Sequence, residues 1–185
     1  MKLSQEILFW DISFELIWFF MRNKILILIS IFVISVNSQL YGNNLAVTDR
    51  LDIIDVINKY AHAVDEKDYD LFKTLFIKDV ETKFVFDPSF FGGETIIIKG
   101  IDDYMDYIKE SGSLFRSSQH LIGNSLITVM GSSVKVKSNL NSRGYYKDDI
   151  NRSVSLWGYY ETYLKKINGK WKIIRHDFYS LGAEE

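Results

Sequence analysis

The clearest pattern in the chain is a helical repeat of apolar residues. Ile53, Val56, Ile57, Tyr60 and Val64 recur with the three- and four-residue spacing of one helix face. Polar and charged residues fill most of the positions between them. The pattern therefore predicts a long amphipathic helix that packs against a core along one side.

Two shorter segments have the same spacing. Leu71, Leu75 and Phe76 predict a second, short helix that ends at residues 77–79. A third helix is predicted over residues 101–110.

Alternating patterns predict the strands. Short strands are expected around residues 84–86 and 95–98, and long ones over 121–129, 134–140, 153–165 and 171–179. Asn168 and Gly169 predict a hairpin turn between the last two. Because the helices are segregated from hairpin-linked strands, the fold class is α+β. We expect a bent antiparallel sheet wrapped over three helices, with a cavity between its concave face and the first helix.

The front of the chain has a different character. No charged residue occurs between Lys24 and Asp49, and residues 25–36 are apolar apart from two serines. Basic residues precede this run, and small residues stand at the positions before Gln39 where a signal peptidase cuts. The alternative is a membrane anchor, but a span needs about twenty residues. The pattern favours a secretory signal.

These features divide the chain into three parts. Residues 1–38 are predicted to be a signal peptide, 39–46 a leader and 47–182 the folded domain. Because acidic residues interrupt residues 1–20, either Met21 is the true start or this stretch is an atypical leading region. The protein is expected to be periplasmic or secreted, with no stable membrane anchor after cleavage.

Composition excludes several classes of function. The formal net charge is −2, so no basic excess points to nucleic acid. Cysteine is absent, which excludes disulfides, thiolate nucleophiles and cysteine-type zinc sites. The three histidines lack the spacing of metal ligands, so no metal site is predicted.

The candidate chemistry centres on His120 and Asp65. Asp65 closes the first predicted helix, and a carboxylate beside an imidazole can move a proton at neutral pH. Two alternatives remain open. His120 could be a core histidine bonded to a backbone carbonyl, and Asp65 could cap the second helix. Tyr60 belongs to the apolar stripe, so only its hydroxyl is a candidate for chemistry.

Further substrate contacts are predicted from alternation along the strands. Asn124 shares a strand face with His120, and His176 alternates with inward-facing neighbours. Phe84 and Phe86 are expected to be walls of the cavity or part of the core. His62 lies two positions after Tyr60, so we expect it to point to the surface or a sheet edge.

Four motifs carry a family resemblance. They are Tyr60-x4-Asp65, residues 67–70, Gln119-His120-x2-Gly123, and residues 167–173, which contain Asn-Gly-x-Trp. Over about residues 47–180 the chain resembles the SnoaL-like branch of the NTF2-like superfamily. Within that branch it is most similar to scytalone dehydratase and the bile acid 7α-dehydratases. The resemblance implies a cone-shaped α+β barrel, often dimeric, with no metal or organic cofactor.

The resemblance also implies roles for individual residues. Tyr60, Asp65 and His120 match the catalytic set, and Tyr160 falls on the strand face that looks into the pocket. One departure concerns the second pocket histidine of scytalone dehydratase, whose position falls at Arg143–Gly144 here. A one-histidine arrangement of the bile-acid type is therefore expected. Trp157 and Tyr159 lie on the opposite strand face and predict a homodimer contact.

The leading hypothesis is an exported, cofactor-independent lyase or isomerase of the dehydratase type. An Asp–His pair would abstract a proton from a small hydrophobic cyclic or polyketide-like molecule. The main alternative is a non-catalytic module that binds a small ligand, because fold does not imply function. A third alternative is an assembly subunit, against which the predicted export argues.

Overall fold

The computed structural model describes residues 21, 22, 24, 45–88 and 92–185. The predicted signal at 1–38 and leader at 39–46 lie almost entirely outside the described residues. Residues 45–185 form one compact unit. Within the described ranges, no helix has both the length and the apolar character needed to cross a bilayer.

The elements follow one another in the order helix, helix, two strands, helix, four strands. The described helices are α1 (Val47–Asp65), α2 (Tyr69–Leu75) and α3 (Ile101–Ser113). The described strands are β1 (Phe76–Val85), β2 (Thr95–Lys99), β3 (Phe115–Met130), β4 (Ser133–Tyr146), β5 (Ser153–Ile167) and β6 (Lys170–Glu184). The α+β class predicted from the sequence is confirmed.

The six strands form one open sheet with the order β2-β1-β6-β5-β4-β3. All neighbours pair antiparallel except β1 and β6, which are parallel. The sequence predicted an antiparallel sheet, and the difference has a physical reason. A hairpin turn forces its two strands to be antiparallel, but no hairpin joins β1 to β6, so their mutual direction is set only when the sheet assembles.

The boundary between α2 and β1 also differs from the prediction. Residues 77–79 were expected to end the second helix, but they belong to β1. The helix stops at Leu75 because Phe76 already has extended backbone angles, with φ −106° and ψ 163°. Phe76 then pairs with Ile173 of β6. Strand pairing therefore overrides the helical spacing at this point.

The core lies between the sheet and the apolar face of α1. Ile53, Ile57 and Tyr60 of α1 are buried, as the apolar stripe predicted, and Val56 and Val64 pack against them at its margin. Aromatic rings fill the centre of the core, and their edge-to-face contacts are favourable beyond simple burial. They are Tyr60, Phe72, Phe76, Phe84, Tyr104, Tyr160 and Phe178. This packing fixes α1 in register against the sheet.

Candidate active site

Asp65 and His120 meet where the end of α1 reaches β3. The Nδ1 atom of His120 lies 2.6 Å from Oδ1 of Asp65. The backbone N–H of His120 donates to Oδ2 at 2.8 Å, and the Ser118 hydroxyl donates to Oδ1 at 3.0 Å. The side chains of Asp65 and His120 are each 17% exposed. The carboxylate is therefore held by three hydrogen bonds at the margin of the core.

Asp65 is free for this contact because another residue caps α2. The Asp68 side chain accepts a hydrogen bond from the Leu71 N–H at 2.9 Å and is the N-cap. The alternative role of Asp65 as this cap is therefore wrong. Lys67, with φ 57°, turns the chain between the two helices and leaves Asp65 at the last position of α1.

Asp65 also fixes the tautomer of His120. Burial, the largest influence, raises the pKa of Asp65, but the hydrogen bonds from the ring and backbone of His120 and from Ser118 together hold this pKa below its ordinary value. An ionised carboxylate can only accept, so in the neutral imidazole Nδ1 carries the proton and Nε2 carries the lone pair. No described residue forms a hydrogen bond with Nε2. The alternative of a core histidine bonded to a backbone carbonyl is wrong.

A cleft of about 530 Å³ lies beside this pair. It runs along β3, which is an edge strand of the sheet, so the cleft takes residues from both faces of the strand. Its apolar side chains are Ala61, Leu121, Ile122 and Leu140, and its ionisable ones are His62, Asp65 and His120. As the described residues form it, the cleft is open on one side and is not the enclosed interior of the cone that the sequence predicted.

Five amide side chains give the cleft its remaining polar character. They are Asn58, Gln119, Asn124, Asn139 and Asn141. Sequence reasoning singled out only Asn124 as a contact. The other four were missed because three of them alternate outward, one along β3 and two along β4, and the fourth lies on the polar side of α1. Their signal in the sequence is weak: amides are frequent on any solvated surface, and only the edge position of β3 brings them together.

Asn124 lies in the cleft by a different route from the one predicted. A β-bulge interrupts the pairing of β3 with β4 between Gly123 and Leu126, and Asn124 has φ 52° there. The extra residue shifts the alternation, so Ser125 and Ile127, not Asn124 and Leu126, continue the inward face. Asn124 is exposed on the rim of the cleft, where it can still contact a ligand.

Tyr60 and Tyr160 lie in the core rather than in the cleft. The Tyr60 hydroxyl is 3.1 Å from that of Tyr104, and burial raises the pKa of Tyr60 well above its ordinary value, so it stays neutral. The rings of Tyr60 and Tyr160 are 5.7 Å apart. Neither residue lines the cleft. The predicted donor role of Tyr60 and contact role of Tyr160 stay predictions that this geometry does not favour.

His176, Phe84 and Phe86 are also away from the cleft. His176 is buried, its Nδ1 is 2.8 Å from the Thr162 hydroxyl, and its ring stacks on Tyr160. Burial lowers the pKa of His176 to about 3, so the ring is neutral. Phe84 is buried in the core, and the half-buried Phe86 stacks beside it. The predicted contacts of these three residues with substrate remain without support in the geometry.

His62 lines the cleft, although the sequence placed it at the surface or a sheet edge. Its side chain is 72% exposed and forms an i,i+4 contact of 3.3 Å with Glu66. Both descriptions are compatible, because the cleft opens at the edge of the sheet. In the described part of the chain, no group of histidine and acidic side chains has the arrangement of a metal site.

Three solved structures illustrate the similarity of this fold to known proteins. A candidate scytalone dehydratase from Novosphingobium aromaticivorans is 20% identical, with a TM-score of 0.63 over 74% of this chain and 87% of that one. A candidate aromatic ring hydroxylase from the same species is 22% identical, with a TM-score of 0.65 over 76% and 95%. A LinA-type3 hexachlorocyclohexane dehydrochlorinase from Novosphingobium barchaimii LL02 is 16% identical, with a TM-score of 0.62 over 74% and 89%.

At these identities the similarity establishes the fold, which is the NTF2-like cone expected from the sequence. No curated protein matches the chain. The model of the SnoaL-like domain matches residues 46–177, which include both Asp65 and His120. The chain therefore belongs to the SnoaL-like family of the NTF2-like superfamily.

Proposed function

We propose that this protein is a cofactor-independent lyase or isomerase of the dehydratase type. The observation that carries the proposal is the 2.6 Å contact between Asp65 and His120, which leaves Nε2 of His120 unbonded by the described residues at a cleft. A base held in one tautomer, beside space for a small molecule, is the equipment that proton abstraction requires. SnoaL-like membership agrees with activity of the lyase or isomerase type.

The proposed reaction begins with proton transfer to His120. The Nε2 lone pair takes a proton from a carbon next to a carbonyl group, and the C–H electron pair forms the enolate. The enolate then expels a β-hydroxyl group as a new C=C bond forms. The imidazolium returns its proton to the departing oxygen, so the products are an unsaturated carbonyl compound and water, and His120 is regenerated.

Asp65 supports this cycle without exchanging a proton itself. Its carboxylate holds the Nδ1 proton in place and stabilises the imidazolium that forms in the first step. Its lowered pKa keeps the group ionised near neutral pH. A positioned base of this kind contributes about 10²–10⁴-fold to the rate.

The cleft suits a small molecule with an apolar body. Ala61, Leu121, Ile122 and Leu140 supply apolar contact, and the amide side chains can bind neutral oxygen atoms. Two of the structurally similar proteins have names that denote eliminations, a dehydratase and a dehydrochlorinase. We carry that reaction class to this chain, with a small hydrophobic cyclic or polyketide-like molecule as substrate.

Hydrogen–deuterium exchange tests the proposal without knowledge of the natural leaving group. A panel of neutral cyclic ketones, with 2-tetralone as the first probe, is incubated with the protein in D₂O, and deuterium at the α-carbon is followed by NMR. We expect catalysed exchange by the wild type and a loss of at least about 10²-fold in His120→Ala. His62→Ala is the matched control, because it removes an exposed histidine from the same cleft, and it should retain exchange.

The alternative function is a non-catalytic module that binds a small ligand. The open side of the cleft favours it, because catalysis of proton transfer benefits from exclusion of water. If ketones of the panel bind to the wild type but no exchange exceeds the rate in buffer, the enzyme proposal is overturned and the binding module is supported.

Export and dimerisation remain part of the proposal. The charge-free segment before Asp49 and the small residues before Gln39 support a signal cleaved after Ser38. Trp157, 37% exposed, and the stacked rings of Tyr159 and Tyr179 support a homodimer contact on the face of the sheet away from α1. The mass of the mature protein and sedimentation at several concentrations test these two points.

A further inference from the structure

The contact between Asp65 and the backbone of His120 reveals the direction of the peptide groups along β3. The N–H of His120 donates to Asp65, so it points to the free edge of the sheet and not to β4. In an antiparallel pair, residues alternate between those whose N–H and C=O face the partner strand and those whose groups face away. Ile122 is two residues further along, so its N–H and C=O also face the free edge.

The position of Ile122 makes this N–H available to a ligand. Ile122 is opposite Leu140 of β4, before the bulge begins at Gly123, and both residues line the cleft. Asp65 occupies the edge position at His120, but no side chain of the described residues bonds to the N–H of Ile122. A backbone N–H that borders a cleft and lacks a protein partner is a preformed hydrogen-bond donor.

We propose that the backbone N–H of Ile122 binds the carbonyl oxygen of the substrate and stabilises the negative charge that develops there. This inference rests on the proposed function. Ile122 and His120 lie on the same strand face. Because each residue of a strand advances by about 3.3 Å, their Cα atoms are about 7 Å apart. The acidic carbon of a bound carbonyl compound can therefore face Nε2 of His120 while its oxygen faces the Ile122 N–H. As the proton moves to Nε2, the C–H electron pair becomes the enolate and its charge collects on that oxygen.

The same subsite indicates the class of substrate. No lysine or arginine of the described residues lines the cleft, and its neutral side-chain donors and acceptors are the five amides. A carboxylate or phosphate group would therefore find no permanently charged partner among these residues, and the ionised Asp65 would repel it. The cleft is therefore suited to a neutral ketone or aldehyde with further hydroxyl or carbonyl groups, and not to an acid or a phosphoester.

A peptide that adds as a further strand is the competing occupant of a free edge. Two features of β3 oppose it. Asp65 already satisfies the edge N–H of His120, and the bulge that begins at Gly123, three residues later, breaks the ladder. Only a short stretch of regular edge remains between them, which suits one oxygen atom better than an extended chain.

The first experiment follows the amide itself in the wild-type protein. The isoleucines are labelled with ¹⁵N, 2-tetralone is added, and the ¹H–¹⁵N spectrum is recorded. We expect the Ile122 amide proton to move downfield on binding, as a newly formed hydrogen bond requires. Ile127 is the internal control: it lies on the inward face of the same edge strand beyond the bulge and does not line the cleft. Its amide should stay in place.

A second experiment removes the donor. Proline has no N–H and is tolerated on edge strands where the N–H is unbonded. Ile122→Pro should lower α-exchange of 2-tetralone by about 10²–10³-fold, the usual effect of losing an oxyanion donor. Ile127→Pro is the matched control, because it makes the same substitution at a partly buried position of the same strand, outside the cleft. This variant should retain α-exchange of 2-tetralone.

The outcomes separate the two proposals. If the Ile122 amide shifts but the wild type does not exchange the α-proton, the carbonyl subsite stands and the catalytic proposal fails. If exchange occurs, depends on His120 and survives in Ile122→Pro, while the Ile122 amide does not move, the subsite is overturned and the catalytic proposal stands. The amide measurement needs no variant, so it decides the matter even if Ile122→Pro fails to fold.

Discussion

Asp65 contacts His120 through both the imidazole ring and the backbone. One carboxylate oxygen lies 2.6 Å from Nδ1, and the other accepts the backbone N–H at 2.8 Å. The ring and the peptide group of one residue are thus fixed by a single side chain. The position of Nε2 relative to the free edge of β3 is consequently determined by Asp65.

Asp65→Asn should therefore reduce proton abstraction while the fold is retained. An amide can accept the backbone N–H of His120, but its NH₂ group cannot accept the Nδ1 proton, which favours the opposite tautomer. We expect α-exchange of 2-tetralone to fall by at least about 10²-fold, with little change in the far-UV circular dichroism. Exchange at the wild-type rate would remove Asp65 from the mechanism.

Ser118→Ala should raise the pKa of Asp65. The Ser118 hydroxyl donates to Oδ1, and a donor to the ionised form lowers the pKa of a carboxyl group. Because the pKa of folded Asp65 is below its ordinary value, ionised Asp65 stabilises the fold above that ordinary value. This contribution is lost as the pH falls through the folded pKa.

In Ser118→Ala the acid limb of the stability curve should move to higher pH. The ¹³C chemical shift of the Asp65 carboxyl group, followed through an acid titration, measures the pKa directly. Ser117→Ala is the control, because Ser117 is exposed and is not among the described residues that form hydrogen bonds with Asp65. An unchanged carboxyl titration in Ser118→Ala would show that the hydroxyl does not act on the charge.

Tyr60→Phe should affect stability more than activity. The hydroxyl is buried on that of Tyr104, so its removal leaves the Tyr104 hydroxyl with one partner fewer and costs about 1–3 kcal/mol. The ring stays in the core, and α-exchange should remain within a few-fold of the wild type. A loss comparable to that of His120→Ala would show that the Tyr60 hydroxyl reaches the substrate, as the family resemblance implies.

His176→Gln should make the free energy of unfolding depend less strongly on pH in the acid range. Burial lowers the pKa of His176 to about 3 from its ordinary value of 6.5. Between these values the unfolded chain binds a proton that the folded protein does not, so stability is lost as the pH falls below about 6.5. The slope approaches about 1.4 kcal/mol per pH unit in this window.

Glutamine can keep a hydrogen bond to Thr162 but does not titrate, so the slope should decrease in His176→Gln. Urea unfolding at a series of pH values between 3 and 7 measures it. Equal slopes in the wild type and His176→Gln would contradict the assignment of a buried, neutral His176.

The sequence alone predicted the three helices, apart from the end of α2, and singled out Asp65 and His120 as candidate partners, which the structure places 2.6 Å apart. The apolar stripe of α1 fixes which residues face the core, and the end of that stripe leaves Asp65 at the margin. The alternating residues of β3 predict a strand with His120 on its inward face. These features depend on local periodicity, which a chain of L-amino acids expresses through fixed helix and strand geometry.

Only the tertiary structure decided where the cleft lies. Tyr60, Tyr160 and His176 face inward as predicted, but their rings fill the interior of the cone, because close packing leaves no space between aromatic side chains of this size. The cleft opens instead along the free edge of β3, where Asn124 enters through a bulge and Ile122 presents its backbone. Strand order and bulges arise from pairing between distant segments, and local periodicity carries no information about them.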